Sequence, residues 1–252
     1  MLILLSNDDG IHAEGLKVLA KELSSVARVV IAAPDGEQSA SSHSITLHRP
    51  LRVVRMARDL YAINGTPTDC VTLGVHEILK GKGGSPKKPD LIISGINCGA
   101  NLGDDVHYSG TVSAAMEGAL LGIPSAAFSL VTLGEKKNYF RTASRFALKL
   151  ARRLTRYHLP RGIMLNVNVP NRPSASAARI TKLGKRNYGE IIFEKIDPRG
   201  KKYYWIGGNE KSFVNIPGSD CNAIQAGHIS ITPLQVDMTH YPLFEELRGL
   251  RF

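Results

Sequence analysis

The chain has 252 residues, 43% hydrophobic and 21% charged, a balance that excludes disordered and fibrous classes and can bury a large core. Its formal charge of +10 suits an anionic partner such as a phosphorylated metabolite, a nucleic acid or a membrane surface. Three cysteines (Cys70, Cys98, Cys221) without a CxxC pair exclude a disulfide framework and a structural zinc site, and fit reduced thiols in the cytoplasm.

The first apolar run, Leu2–Leu5, reads as a strand covered on both faces. It ends on Asn7-Asp8-Asp9-Gly10, too early for a signal peptide's apolar region. A helix pattern follows over 14–25, with Leu16, Leu19, Ala20 and Leu23 on one face, and then a strand over 28–33 stopped by Pro34. "LRVVRM" and "LYAIN" suggest a short β pair, and 67–79 a helix with Pro67 in its first turn. Residues 81–89 read as a flexible loop.

"PDLIISG" is the next central strand, and 95–110 a long polar, glycine-rich loop. A helix is expected over 111–121, a strand over 124–131, and a strongly amphipathic helix over 138–157 whose outer face is rich in arginine. That face lacks interleaved aromatics and reads as solvated rather than as a nucleic-acid surface. A strand over 162–170 closes the series. The alternation predicts an α/β class with a mostly parallel sheet and helices on both faces. No stretch reads as a membrane span, since the most apolar one, 113–134, contains Glu117 and Pro124.

After Pro170 the pattern becomes β-rich: a loop over 171–179, a hairpin over 190–208 turning at Pro198-Arg199-Gly200, and a strand over 228–234. Helix signals return only in the last dozen residues. The expected division is therefore an α/β core over 1–170 and a β-rich extension over 171–252, too small to bury much by itself and suited to oligomerisation.

In a parallel sheet, ligands bind outside the carboxyl ends of the strands. Three polar loops should converge there: the one with Asp8 and Asp9, "APDGEQSASSHSIT", and "GINCGANLGDDVHYSGT". Paired carboxylates with amide and hydroxyl oxygens, and no Cys/His ligand set, favour Mg²⁺ or Mn²⁺. A dication would relieve the Asp8–Asp9 repulsion; alternatively one aspartate caps the following helix and the other faces water. Ser109-Gly110-Thr111, just before a helix, offers an anion site at its positive end, or an ordinary N-cap. Neither a Walker A motif nor GxGxxG occurs. His12, His43, His48 and His107 lie in or near these loops and carry no assigned catalytic role.

Taken together, "ILLSNDDG", "APDGEQSASSHSIT", "NGTPTDCV", "SGINCGANLGDDVHYSGTVSAAMEG" and "HISITPL" resemble SurE, the stationary-phase survival protein family of metal-dependent nucleotidases. The resemblance implies hydrolysis of nucleoside monophosphates, 5′ and conceivably 3′, with one divalent ion per subunit. It implies Asp8, Asp9, Ser39 and Asn97 as metal ligands, with Asp8 and Asp9 also catalytic. It implies Asn97, Ser109, Gly110 and Thr111 as the phosphate-binding set. A Rossmann-like core and a homodimer or homotetramer follow from the same resemblance, with neither membrane nor nucleic-acid partner expected. Gly36 departs from the arginine common in the family after "APD". The rival is a non-catalytic nucleic-acid or polyphosphate binder, motivated by charge alone. Haloacid-dehalogenase-type phosphatases need a DxD spacing absent here, and a response-regulator module needs an ordered Asp and Lys that do not stand out.

Overall fold

The computed structural model describes residues 1–81, 87–132, 135, 137–157, 159–175, 177–187, 192–207 and 212–250. Part of the expected loop 81–89 and the outer ends of the expected hairpin, Glu190 and Gly208, lie outside the described residues.

The apolar run at the start forms β1 (Leu2–Ser6), every residue of which is buried. It lies between β2 (Arg28–Pro34) and β5 (Leu91–Cys98), parallel to both. β6 (Ser125–Val131) and β7 (Ile163–Pro170) continue the parallel series on one side, and β4 (Leu60–Ile63) does so on the other. β3 (Val53–Ala57) pairs antiparallel with β4, the expected short β pair. The nine-stranded sheet has the order β3-β4-β2-β1-β5-β6-β7-β11-β8, where β8 is Ala178–Ile180 and β11 is Ile229–Gln235. Continuous apolar strands need cover on both faces, and helices supply it. α1 (Glu14–Leu23) and α4 (Phe140–Leu154) close one face through Leu16, Leu19, Leu23, Ala143, Ala147 and Leu150. α2 (Pro67–Leu73) and α3 (Gly110–Leu120) close the other through Val71, Ala114 and Ala115.

Several elements differ from the sequence expectation. β5 does not stop at Gly95 but runs to Cys98, with an irregularity between Ser94 and Asn97. Gly95 makes this possible: its φ is +119°, and a Cβ there would lie 2.2 Å from the Phe128 carbonyl oxygen. The helix expected over 67–79 is α-helical only to Leu73 and continues as one wider turn over Gly74–Ile78. Residues 103–107, expected as loop, make a 3₁₀ turn. β8 (Ala178–Ile180) begins inside an expected loop.

Beyond Pro170 the chain does two things. β11 (Ile229–Gln235) and β8 extend the main sheet, β11 antiparallel to β7. β9 (Ile192–Ile196) and β10 (Lys202–Ile206) form a separate antiparallel hairpin, its turn tied by Asp197, which accepts from the Arg199 and Lys201 N–H groups. α5 (Asp220–Gln225) precedes β11, and α6 (Phe244–Arg248) follows it, fully exposed. Among the described residues no helix is long and apolar enough to cross a membrane.

Candidate active site

β1 ends by turning its chain sharply. Asn7 is fully buried, and its side-chain NH₂ donates to the Gly10 carbonyl at 2.9 Å, closing the turn that carries Asp8 and Asp9. Gly10 sits at φ +92° against the Gly36 backbone, so the first loop packs directly on the second. The second loop is held in turn: the Gln38 N–H donates to the Asp8 carbonyl, and the Ser42 N–H to the Tyr108 carbonyl.

Asp8 reaches across to α3. Its carboxylate accepts from the Thr111 N–H at 3.0 Å and from the Thr111 hydroxyl. The alternative reading, in which one aspartate caps the next helix in sequence, is not met, because Ala13 stands at the α1 N-cap with no side-chain cap. Asp8 instead serves α3, one hundred residues later in sequence, where the positive end of the helix favours an anion. The approach is close enough that a Cβ on Gly110 would stand 2.9 Å from the Asp8 Cβ. Asp9 points to the end of β5 and accepts from the Cys98 N–H at 3.2 Å. Asn97 lies next to that contact; its NH₂ donates to the Gly99 carbonyl, leaving the amide oxygen as the end available to a cation. Ser39 is held differently: it is exposed and donates its hydroxyl to Glu37 at 2.7 Å.

The proposed anion turn is partly occupied by the protein itself. Ser109 is the N-cap of α3 and accepts from the Val112 N–H, while Asp8 takes the Thr111 N–H. Among the described residues the Gly110 N–H has no hydrogen-bond partner, although the residue itself is buried.

The electrostatics are unusual for a solvated loop. Burial lifts the Asp8 carboxyl above its ordinary range. Burial, and then the Asp8 charge beside it, lift Asp9 to about 6. Among the described residues neither forms a salt bridge. Two adjacent desolvated carboxylates without a protein cation are a donor set that a divalent ion completes. Among the described residues no three His, Cys, Asp or Glu side chains gather as a metal centre, at Asp8 and Asp9 or elsewhere, so any cation here would lean on amide and hydroxyl oxygens as well.

This sets a pH dependence for the metal-free protein. Below about pH 4, Asp9 is protonated in both the folded and the unfolded chain and leaves stability unchanged. As pH rises through about 6, the folded chain must ionise it in a poor environment, and that stability is lost. Thermal melts in EDTA at pH 4 and 7 should therefore show a smaller pH-dependent fall for Asp9→Asn than for the native chain. An equal fall in both would contradict the assignment.

Three supporting clusters were not legible in the sequence. His43, in the second loop, pairs with Glu117 of α3 at 3.1 Å, and Thr72 donates to the same carboxylate. The His43 hydrogen bond holds the Glu117 carboxyl below its ordinary value. Thr46 and Thr66 both bind Asp69, so "SSHSIT" and "NGTPTD" interlock. Behind the glycine-rich loop, buried Asn101, Asn166, Asn168 and Ser129 bond to one another, and Asp220 accepts from the Gly103 and Gly184 N–H groups. Only the scattered polar residues within apolar strands, such as "NVNV", hinted at this network.

The family model described as Survival protein SurE matches residues 3–190. The 5′-nucleotidase SurE of Citrifermentans bemidjiense is 50% identical over 251 residues, covering 99% of this chain and 98% of the relative. The 5′-nucleotidase SurE of Geobacter sulfurreducens is 51% identical over 243 residues, 96% of this chain and 90% of the relative. The crystal structure of the SurE protein from Aquifex aeolicus superposes with a TM-score of 0.87 at 40% identity, covering 99% of both chains. The turn that gathers Asp8, Asp9, Asn97 and Thr111 thus sits in a chain similar to these proteins from end to end, and the chain belongs to the SurE family.

Proposed function

We propose that this chain hydrolyses nucleoside 5′-monophosphates to nucleoside and phosphate, with a divalent cation held between Asp8 and Asp9. The activity rests on family membership over the whole chain, since the relatives at about half identity are 5′-nucleotidases. The observation that carries the location is the pair of desolvated, unneutralised carboxylates beside the start of α3.

Asp8 and Asp9 would hold the cation, with the Asn97 amide oxygen and the Ser39 hydroxyl completing an oxygen donor set suited to Mg²⁺ or Mn²⁺. A bound dication supplies charge for a phosphate oxygen and lowers the pKa of its water from about 15.7 toward neutrality. The Gly110 N–H, at the positive end of α3, stabilises charge on the remaining phosphate oxygens. Ser109 and Thr111 fix that turn, the first by capping it and the second by tying it to Asp8. Asp8 is doubly engaged with Thr111, whereas Asp9 receives a single N–H, so Asp9 would keep more of its oxygen lone pairs for the cation.

Phosphate release from a panel of nucleoside 5′- and 3′-monophosphates and polyphosphate, with Mg²⁺, Mn²⁺ or EDTA, tests this. We expect release from the 5′-monophosphates with metal and none with EDTA. Release that persists in EDTA, or no release from any nucleotide, would overturn it.

The same reading makes the chain a homodimer or homotetramer, with the extension 171–252 contributing the contact. Supporting this, the hairpin leaves Phe193, Tyr203, Tyr204 and Trp205 exposed, and the C-terminal segment leaves Tyr241 and Phe244 exposed. Light scattering of the full chain should give at least a dimer, and a monomer at micromolar concentration would contradict it. Three free cysteines fit a reducing compartment such as the cytoplasm.

A further inference from the structure

The surplus charge of the chain is not spread evenly. Residues 136–189 contain 14 lysines and arginines and no aspartate or glutamate. Six of these cations, Arg141, Arg145, Lys149, Arg152, Arg153 and Arg156, lie on or just beyond α4, and all are exposed. At 100° per residue they fall within about one third of the helix circumference. The opposite side is the core face with Ala143, Ala147, Leu150 and Leu154. Among the described residues none of the six forms a salt bridge. Like charges at this spacing repel, so the stripe is a standing cost to the helix.

The surface around it has a definite shape. Two troughs, of about 860 and 560 Å³, flank the helix, and Arg145, Lys149 and Arg153 line both. The cations therefore form a ridge between two grooves. Asp90, which lines a further trough with Leu154, Thr155 and Tyr157 at the end of the helix, is already engaged by the Leu2 N–H.

We propose that this ridge binds duplex DNA through its phosphates, without sequence preference. A B-form major groove, about 12 Å wide, admits an α-helix and is itself a trough between two anionic backbones. The ridge and its flanking grooves are the complement of that shape in both form and sign. Duplex RNA fits poorly, because its major groove is deep and narrow. A single strand would call for a series of exposed stacking aromatics, and among the described residues the troughs offer Tyr157 exposed at one end and Phe146 half-buried. A membrane would call for a row of exposed apolar anchors along the cations, whereas the large exposed ones among the described trough residues are Met1 and Tyr157, both at one end. The lack of interleaved aromatics, which in the sequence spoke against nucleic acid, is immaterial when only phosphates are contacted. The inference is independent of the metal site. It places a nucleotidase beside the polymer whose breakdown yields its substrates.

The test is fluorescence anisotropy of a labelled 20-base-pair duplex of random sequence with the full chain in EDTA, from 50 to 200 mM KCl. With about four phosphate contacts, affinity should fall roughly 150-fold across that range. R145E/K149E/R153E, and the milder R145Q/K149Q/R153Q, should flatten the logarithmic salt slope by about 3 while leaving phosphate release from nucleotides with metal unchanged. Reversing three exposed cations elsewhere, R52E/R55E/R58E, should leave the slope intact. An equal loss in that control would reduce the effect to net charge and overturn the proposal. Tighter binding to the single strand, or binding to phosphatidylglycerol vesicles with none to the duplex, would overturn it as well.

Discussion

Asp9→Asn should lower kcat by about 10²–10³-fold while leaving the chain folded. The magnitude is that of removing one preorganised electrostatic group from a transition state that develops charge. The folded state should not suffer, because in the metal-free protein Asp9 is an ionised group in a desolvated place, beside Asp8. Among the described residues Asp9 accepts one hydrogen bond, from the Cys98 N–H, which the amide oxygen of asparagine can also accept. In EDTA the variant should therefore melt at or above the native temperature at neutral pH. Asp8→Asn should behave differently. Asp8 accepts both the hydroxyl and the N–H of Thr111, and an amide can accept through only one of its two terminal atoms. That variant should lose about 1 kcal/mol of stability in addition to its activity. Denaturant melts of the two variants beside their kcat values separate these effects, and a native kcat in Asp9→Asn would refute the role given to it.

Gly110→Ala should damage the site although helix propensity argues the other way. Replacing glycine by alanine within a helix ordinarily gains up to about 1 kcal/mol. Here the new Cβ would stand 2.7 Å from the Ser41 hydroxyl oxygen, 2.9 Å from the Asp8 Cβ and 3.1 Å from Pro67. The contacts come from three separate elements, so no single side chain can yield. Overpacking of this kind costs about 1–3 kcal/mol, more than the propensity gain. The start of α3 must then move away from Asp8, and a shift of about 1 Å in a catalytic group lowers turnover about 10²-fold. Gly36→Ala is the matched control, since nothing lies within 4 Å of its Cβ and both activity and stability should be retained. A Gly110→Ala variant with native kcat/KM would show that the Asp8–α3 approach is not needed.

How much of this was legible follows from which interactions are local. β1, α1, β2, β6 and β7 announce themselves because their apolar residues repeat along the chain itself. The convergence of the Asp8, Ser39 and Asn97 loops followed from parallel strand order, since strand ends in one sheet share an edge. What the sequence concealed depends on distant partners. Gly95 looks like a strand terminator, yet β5 continues because the backbone passes close to Phe128 on β6. Asp8 looks like a cap for the helix that follows it, yet it serves a helix one hundred residues away. α5 is too short to show a period; its one local signal was Ser219, which accepts from the Asn222 N–H as an N-cap. β8 and β11 read as part of an appendage because their composition resembles the hairpin beside them, whereas β11 pairs with β7 and β8 with β11, which places both in the main sheet.

The central claim is that Asp8 and Asp9 share a cation on which phosphate release depends. Calorimetric titration of Mn²⁺ into the metal-free chain and into Asp8→Asn and Asp9→Asn, with phosphate release from a nucleoside 5′-monophosphate measured on the same samples, tests it most directly. We predict one ion bound per native subunit, with affinity and turnover lost together in both variants. Native affinity and native turnover in either variant would contradict the account.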